Sequence, residues 1–172
     1  MAFSSYNNTH PPLATPASCP LGAGAPQWAV DMFNTLDHHQ RWDSYVHKIS
    51  IHNLEVGLKE KAEWDLARSA NSGLPRDARI LAPLPTPFAR LAVPAIPAPP
   101  APGAAVNLPP PFAPPPIAVP PADPLFPATI ADLRHLPGEH LDVLLASYGC
   151  QGQNLPIDQK RALFARLIGV SL

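Results

Sequence analysis

The sequence predicts an all-α chain interrupted by one long extended stretch: a long N-terminal helix, a proline-rich extended spacer and a small C-terminal unit of three helices. Three observations carry this. Nineteen of the 26 prolines fall between Pro75 and Pro127. None falls between Pro26 and Pro75. The last 45 residues show three apolar runs at helical spacing, punctuated by Gly and Pro.

The first 25 residues carry Pro11, Pro12, Pro16 and Pro20 with Gly22 and Gly24 and read as a disordered tail. From Pro26, which suits a first helical turn, the chain runs without a breaker to Asn71-Ser-Gly-Leu-Pro75, a stop signal. The bracketed segment, 26–74, holds a helix of about 45 residues, about 65 Å at about 1.5 Å per residue. Trp42, Val46, Ile49, Asn53 and Val56 alternate four- and three-residue steps, as the core positions of a coiled coil do. They are the expected self-association seam, with Asn53 fixing register. A second stripe, Ile51, Leu54, Leu58 and Ala62, lies on the far side. Ile49 to Leu58 also alternates with period two around His52-Asn53, which leaves a β-hairpin open there. His38, His39, His47 and His52 lack the i,i+3 or i,i+4 spacing of a helical metal site and read as exposed or seam-edge side chains. Trp28, Trp42 and Trp64 read as packing anchors.

The spacer, 75–127, holds five charged residues: Arg76, Asp77, Arg79, Arg90 and Asp123. Proline lacks the backbone donor that helix interiors and central strands need. The stretch is therefore extended, as polyproline II. Pro94 with Pro97, and Pro97 with Pro100, form PxxP steps that suit an aromatic groove on a protein partner. Leu91, Val93, Ile96, Val106, Phe112 and Ile117 offer a second reading, an ordered arm packed back on the helix.

In the C-terminal unit, 128–172, Thr129 with Asp132 caps a helix from Ile130 to Leu136. Pro137-Gly138 breaks the chain. Glu139 to Tyr148 is amphipathic and ends at Gly149; Ile157 to Ile168 ends at Gly169.

The totals exclude several classes. Twelve basic and 13 acidic residues, net −1, give no global attraction to nucleic acid or anionic lipid. No run of eighteen apolar residues marks a membrane span. Cys19 and Cys150 form no CxxC or Cys/His pattern, so neither a zinc site nor a disulfide framework is expected. The start carries no secretory pattern, and an intracellular chain, cytoplasmic or nuclear, is expected. There is no Gly-rich phosphate loop, GxSxG or HExxH. No enzyme, cofactor or metal is expected.

Two resemblances add to this reading. The stretch LLASYGCQGQNLPIDQKRALFARLIG resembles the helix–loop–helix of SAP-type nucleic-acid-binding motifs. That likeness implies backbone contacts through Lys160, Arg161 and Arg166. The whole chain is similar to a family of short basidiomycete fungal proteins with a coiled coil and a C-terminal domain named after a fission-yeast meiotically upregulated gene. The carrying pieces are Trp28-Ala29, Asn71-Ser72, Phe126-Pro-Ala-Thr-Ile-Ala-Asp-Leu133, Leu144-Leu145, Tyr148-Gly149 and Leu167-Ile168-Gly169-Val170. This resemblance implies an architecture and no activity. Two functions remain: a non-enzymatic oligomerising scaffold assembled through the long helix, or a weak nucleic-acid-binding module at the C-terminus.

Overall fold

The computed structural model describes residues 24–72, 74, 81–152 and 154–171. The expected tail, apart from Gly24 and Ala25, lies outside them, as does Cys19. Among the described residues four helices form: α1 (Gln27–Ser72), α2 (Ile130–His135), α3 (Gly138–Ser147) and α4 (Ile157–Ile168). Among the described residues there is no strand, only one isolated antiparallel bridge, Pro85 to Ala122. The hairpin alternative fails because Ile49 to Leu58 is continuous helix.

The chain divides into two compact units, each taking a piece of α1 and a piece of the proline-rich stretch: Met1–Val46 with Pro94–Pro111, and His47–Val93 with Phe112–Leu172.

In the second unit the proline-rich stretch lies along α1 as an ordered arm. Contacts run antiparallel: Asn71 to Ala82, Trp64 to Pro85, Glu60 to Phe88, Asn53 to Leu91. The pitches explain the register. Eighteen helix residues from Asn53 to Asn71 rise about 27 Å, and nine polyproline residues from Ala82 to Leu91 span about 28 Å. Three residues per turn bring Pro85, Phe88 and Leu91 inward and leave Pro87, Arg90 and Val93 outside. The returning segment binds the other edge of the helix, where Lys59 Nζ donates to the Ile117 carbonyl at 2.6 Å. Thr86 ties the two extended segments together through its N–H (3.2 Å) and hydroxyl (3.1 Å), both donated to Pro121.

The three short helices close over one core with the end of α1. Leu141, Leu144, Leu145 and Tyr148 of α3 meet Phe164 and Ile168 of α4, Ile130 and Leu133 of α2, Leu81 and Leu84 of the arm, and Ala67 of α1. Thr129 Oγ1 caps α2 by accepting from the Asp132 N–H at 3.0 Å. The last carbonyls of α4, orphaned as at any helix end, are taken up by α1. Arg68 Nε donates to Leu167 O at 2.7 Å and Asn71 Nδ2 to Ile168 O at 2.9 Å. Gly169 allows this approach. Its φ is 83° and a Cβ there would sit 2.8 Å from the Arg68 carbonyl.

In the first unit, α1 residues 27–46 carry the arm's turn. Ala104 N–H donates to Ala101 O at 2.9 Å and Gly103 takes φ 75°. Asp31 accepts from the Gly103 N–H at 3.3 Å and Trp42 Nε1 donates to Asn107 O at 3.0 Å. Pro94, Pro97 and Pro100 are half-buried while the residues between them are exposed.

Candidate functional site

The five expected seam residues all face inward or partly inward within the chain itself. In the first unit Trp42 is buried and bound to Asn107, and Val46 is half-buried. In the second, Ile49 and Val56 are buried, and Asn53 holds the arm. Asn53 Oδ1 accepts from the Leu91 N–H at 2.8 Å while Nδ2 donates to the Leu91 carbonyl at 2.9 Å. This corrects the reading of the seam as an open helix-pairing face. A heptad-spaced apolar face needs a cover, and the cover here is an extended segment of the same chain. The Asn expected to fix a coiled-coil register instead pins a backbone.

The pins that sequence reasoning missed are Asn71, Glu60 and Lys59; Trp64, expected as a packing anchor, also donates its indole N–H to the Pro85 carbonyl at 2.9 Å. Asn71 repeats the Asn53 device: Oδ1 accepts from the Ala82 N–H at 2.7 Å and Nδ2 donates to the Ala82 carbonyl at 3.1 Å. Glu60 accepts from the Phe88 N–H at 3.0 Å. The available signal was spacing: Asn53, Glu60, Trp64 and Asn71 sit seven, four and seven apart, on one edge of a helix.

Opposite the covered face, α1 leaves large apolar side chains in the open. In the second unit Ile51, Leu54 and Leu58 are 43%, 68% and 70% exposed, on consecutive turns. In the first unit Trp28, Met32 and Leu36 are exposed likewise, so Trp28 is no packing anchor among the described residues. Trp42 and Trp64 are. Beside the second-unit stripe Lys61 bridges Asp65, and that hydrogen bond holds the Asp65 carboxyl below its ordinary range. His39 and His47 are exposed, whereas His38 and His52 are buried. Among the described residues no three His, Cys, Asp or Glu side chains converge on a metal position.

The cations of the nucleic-acid reading are largely engaged. Lys160 is buried, with Nζ 2.7 Å from Asp142 Oδ2 across α3 and α4. Arg161 donates to Asp158 at 3.2 Å and to the Leu136 carbonyl at 3.1 Å. Arg166 is exposed in the last turn of α4. A cavity of about 530 Å3 opens at the α3–α4 loop, and its described lining, from Ala146 to Leu155, holds no cation. The PxxP prolines also face the wrong way for an aromatic groove: Pro94, Pro97 and Pro100 are the inward edge of the arm.

Tyr148 closes the second unit's core. Its hydroxyl donates to Leu84 O at 2.7 Å and its ring packs edge-on to Trp64. Burial pushes the phenol above its ordinary range. Compared with known proteins, the chain matches no family model, no curated protein and no solved structure. No described helix is long and apolar enough to cross a membrane.

Proposed function

We propose that the chain is a non-enzymatic scaffold that associates with a second copy of itself, and that it does so through the stripe Ile51, Leu54 and Leu58 rather than through the Trp42–Val56 seam. The supporting observation is that the arm covers one face of α1 while these three aliphatic side chains stay exposed on successive turns. A row of this kind on a soluble surface is characteristic of an interaction site. The arm stiffens the helix behind the stripe, so little order is lost on association. The lineage suggested by Phe126–Leu133 and Leu167–Val170, and an intracellular location, belong to the same proposal.

The test is mass in solution. The full chain at tens of micromolar is expected to sediment as a dimer or larger, and Leu54→Glu with Leu58→Glu to sediment as a folded monomer. A wild-type chain that is monomeric at that concentration overturns the reading. The nucleic-acid reading has weaker support, since Lys160 and Arg161 are engaged within the chain; a salt-sensitive shift with DNA or RNA, lost in Arg166→Ala, would revive it.

A further inference from the structure

Charges beside the row Ile51, Leu54 and Leu58 give it a direction. At about 100° per residue the three side chains span about 60° of the helix surface. Lys48 and Glu55 lie together on one flank of the row, about 70–90° from its middle, and Ser50 and Gly57 lie as far out on the other. Lys48 and Glu55 are exposed, and among the described residues neither has a hydrogen-bond or ion-pair partner. Other charges on this stretch of α1 are engaged: Lys61 with Asp65, Lys59 with the Ile117 carbonyl, Glu60 with the Phe88 N–H. Beside the same three aliphatic residues, then, one flank carries a cation and an anion, and the other carries no charged α1 side chain.

Two paired helices use these flanks differently according to direction. In a parallel pair unlike flanks meet, so Lys48 and Glu55 would face Ser50 and Gly57 of the second copy. Arg90 overlies Gly57, 3.5 Å from where its Cβ would be, and is held by Glu60 at 3.7 Å. In an antiparallel pair like flank meets like flank. With Ile51 of one copy level with Leu54 of the second, the two-fold axis passes level with His52 and Asn53, and Leu58 meets the exposed His47. Lys48 then lies within about 3 Å, along the helix axis, of Glu55 of the second copy. The two-fold makes this pair twice. Sliding the helices by one heptad would set Leu54 against Leu58, but it would also bring Glu55 beside Glu55 and put Ile51 opposite Lys61. Like charges in contact disfavour that register.

We infer that two copies pair antiparallel through this row, with Lys48 of each against Glu55 of the other. The inference rests on the reading of the row as the surface that a second copy meets. The aliphatic layer supplies the attraction, and the rim charges choose direction and register. The short helices packed on the end of α1 would then lie at opposite ends of the paired segment, which suits a scaffold that presents two such units apart.

The experiment is sedimentation equilibrium of the full chain at low salt and at about 1 M salt. Lys48→Glu and Glu55→Lys should each raise the dimer dissociation constant by about tenfold at low salt. The double variant should return to within about threefold of wild type. The single-variant loss should shrink at high salt, where the charges are screened. Circular dichroism should show the helix intact in all three, since both side chains are exposed. A wild-type dimer that dissociates with Leu54→Glu and Leu58→Glu, yet ignores both single reversals or stays weak in the double variant, overturns the antiparallel register and leaves self-association standing. A monomeric wild-type chain overturns both and leaves the row to residues 1–23 or to a different protein.

Discussion

The side-chain amide of Asn53 binds both backbone groups of Leu91, accepting from its N–H at 2.8 Å and donating to its carbonyl at 2.9 Å. One amide thus supplies the donor and the acceptor that a neighbouring strand would otherwise offer. Polyproline II makes no internal hydrogen bonds, so an arm in that conformation takes its order from outside. Asn53 and Asn71, set 18 residues apart on the helix, provide two such clamps nine residues apart on the arm.

Asn53→Ala and Asn71→Ala should both loosen the arm, and Asn71→Ala should cost more. Asn53 sits in a partly buried pair, whereas Asn71 is buried and also holds the Ile168 carbonyl. Each orphaned group costs about 1–3 kcal/mol. Urea denaturation gives the totals. Amide exchange at Leu91 and Ala82 shows whether the loss is local, and equal losses in the two variants would contradict this ranking.

Gly169→Ala should destabilise the second unit more than Gly149→Ala. Both glycines take positive φ, 83° and 71°, which costs an L-residue about 1–2 kcal/mol. Only Gly169 also has a backbone atom within 2.8 Å of the added Cβ; Gly149 has nothing within 4 Å. Thermal unfolding of the two variants should separate these contributions.

Tyr148→Phe should cost about 1 kcal/mol by removing the bond to the Leu84 carbonyl, and it should also change the alkaline limb of the stability profile. The folded phenol ionises above its ordinary range because it is buried. Its contribution is therefore complete below about pH 10, the unfolded value, and is lost as pH rises through the higher folded value. The Phe variant should lack this loss. Stability against pH, followed by denaturant midpoint, checks the sign.

Val46→Glu with Ile49→Glu, placed on the covered face, should free the arm and lower stability by several kcal/mol, since a carboxylate without a partner at the buried Ile49 position is strongly unfavourable. Leu54→Glu with Leu58→Glu, on the open face, should leave stability within about 1 kcal/mol of wild type while changing mass in solution. Limited proteolysis across the arm separates the two outcomes: the first pair should open it to cleavage and the second should not.

Local physics made much of this protein legible from its residues. Proline cannot enter helix or sheet interiors, so 81–127 had to be extended. An unbroken run from Gln27 followed by Asn-Ser-Gly-Leu-Pro marked a helix with an end near Ser72, though only the structure ruled out a hairpin at Ile49 to Leu58. Thr129, Gly149 and Gly169 marked the short helices to within one or two residues. The spacing of Trp42, Ile49 and Val56 required that something cover that face. What covers it was beyond the reach of spacing, because an apolar stripe attracts any surface of matching pitch, whether a second helix or an extended arm. Only the tertiary arrangement decided for the arm, turning Asn53 from a coiled-coil register residue into a backbone clamp and Lys160 from a nucleic-acid candidate into half of an ion pair. The two rods match because two residues of α-helix rise almost as far as one residue of polyproline II, a coincidence of geometry that no single segment displays alone.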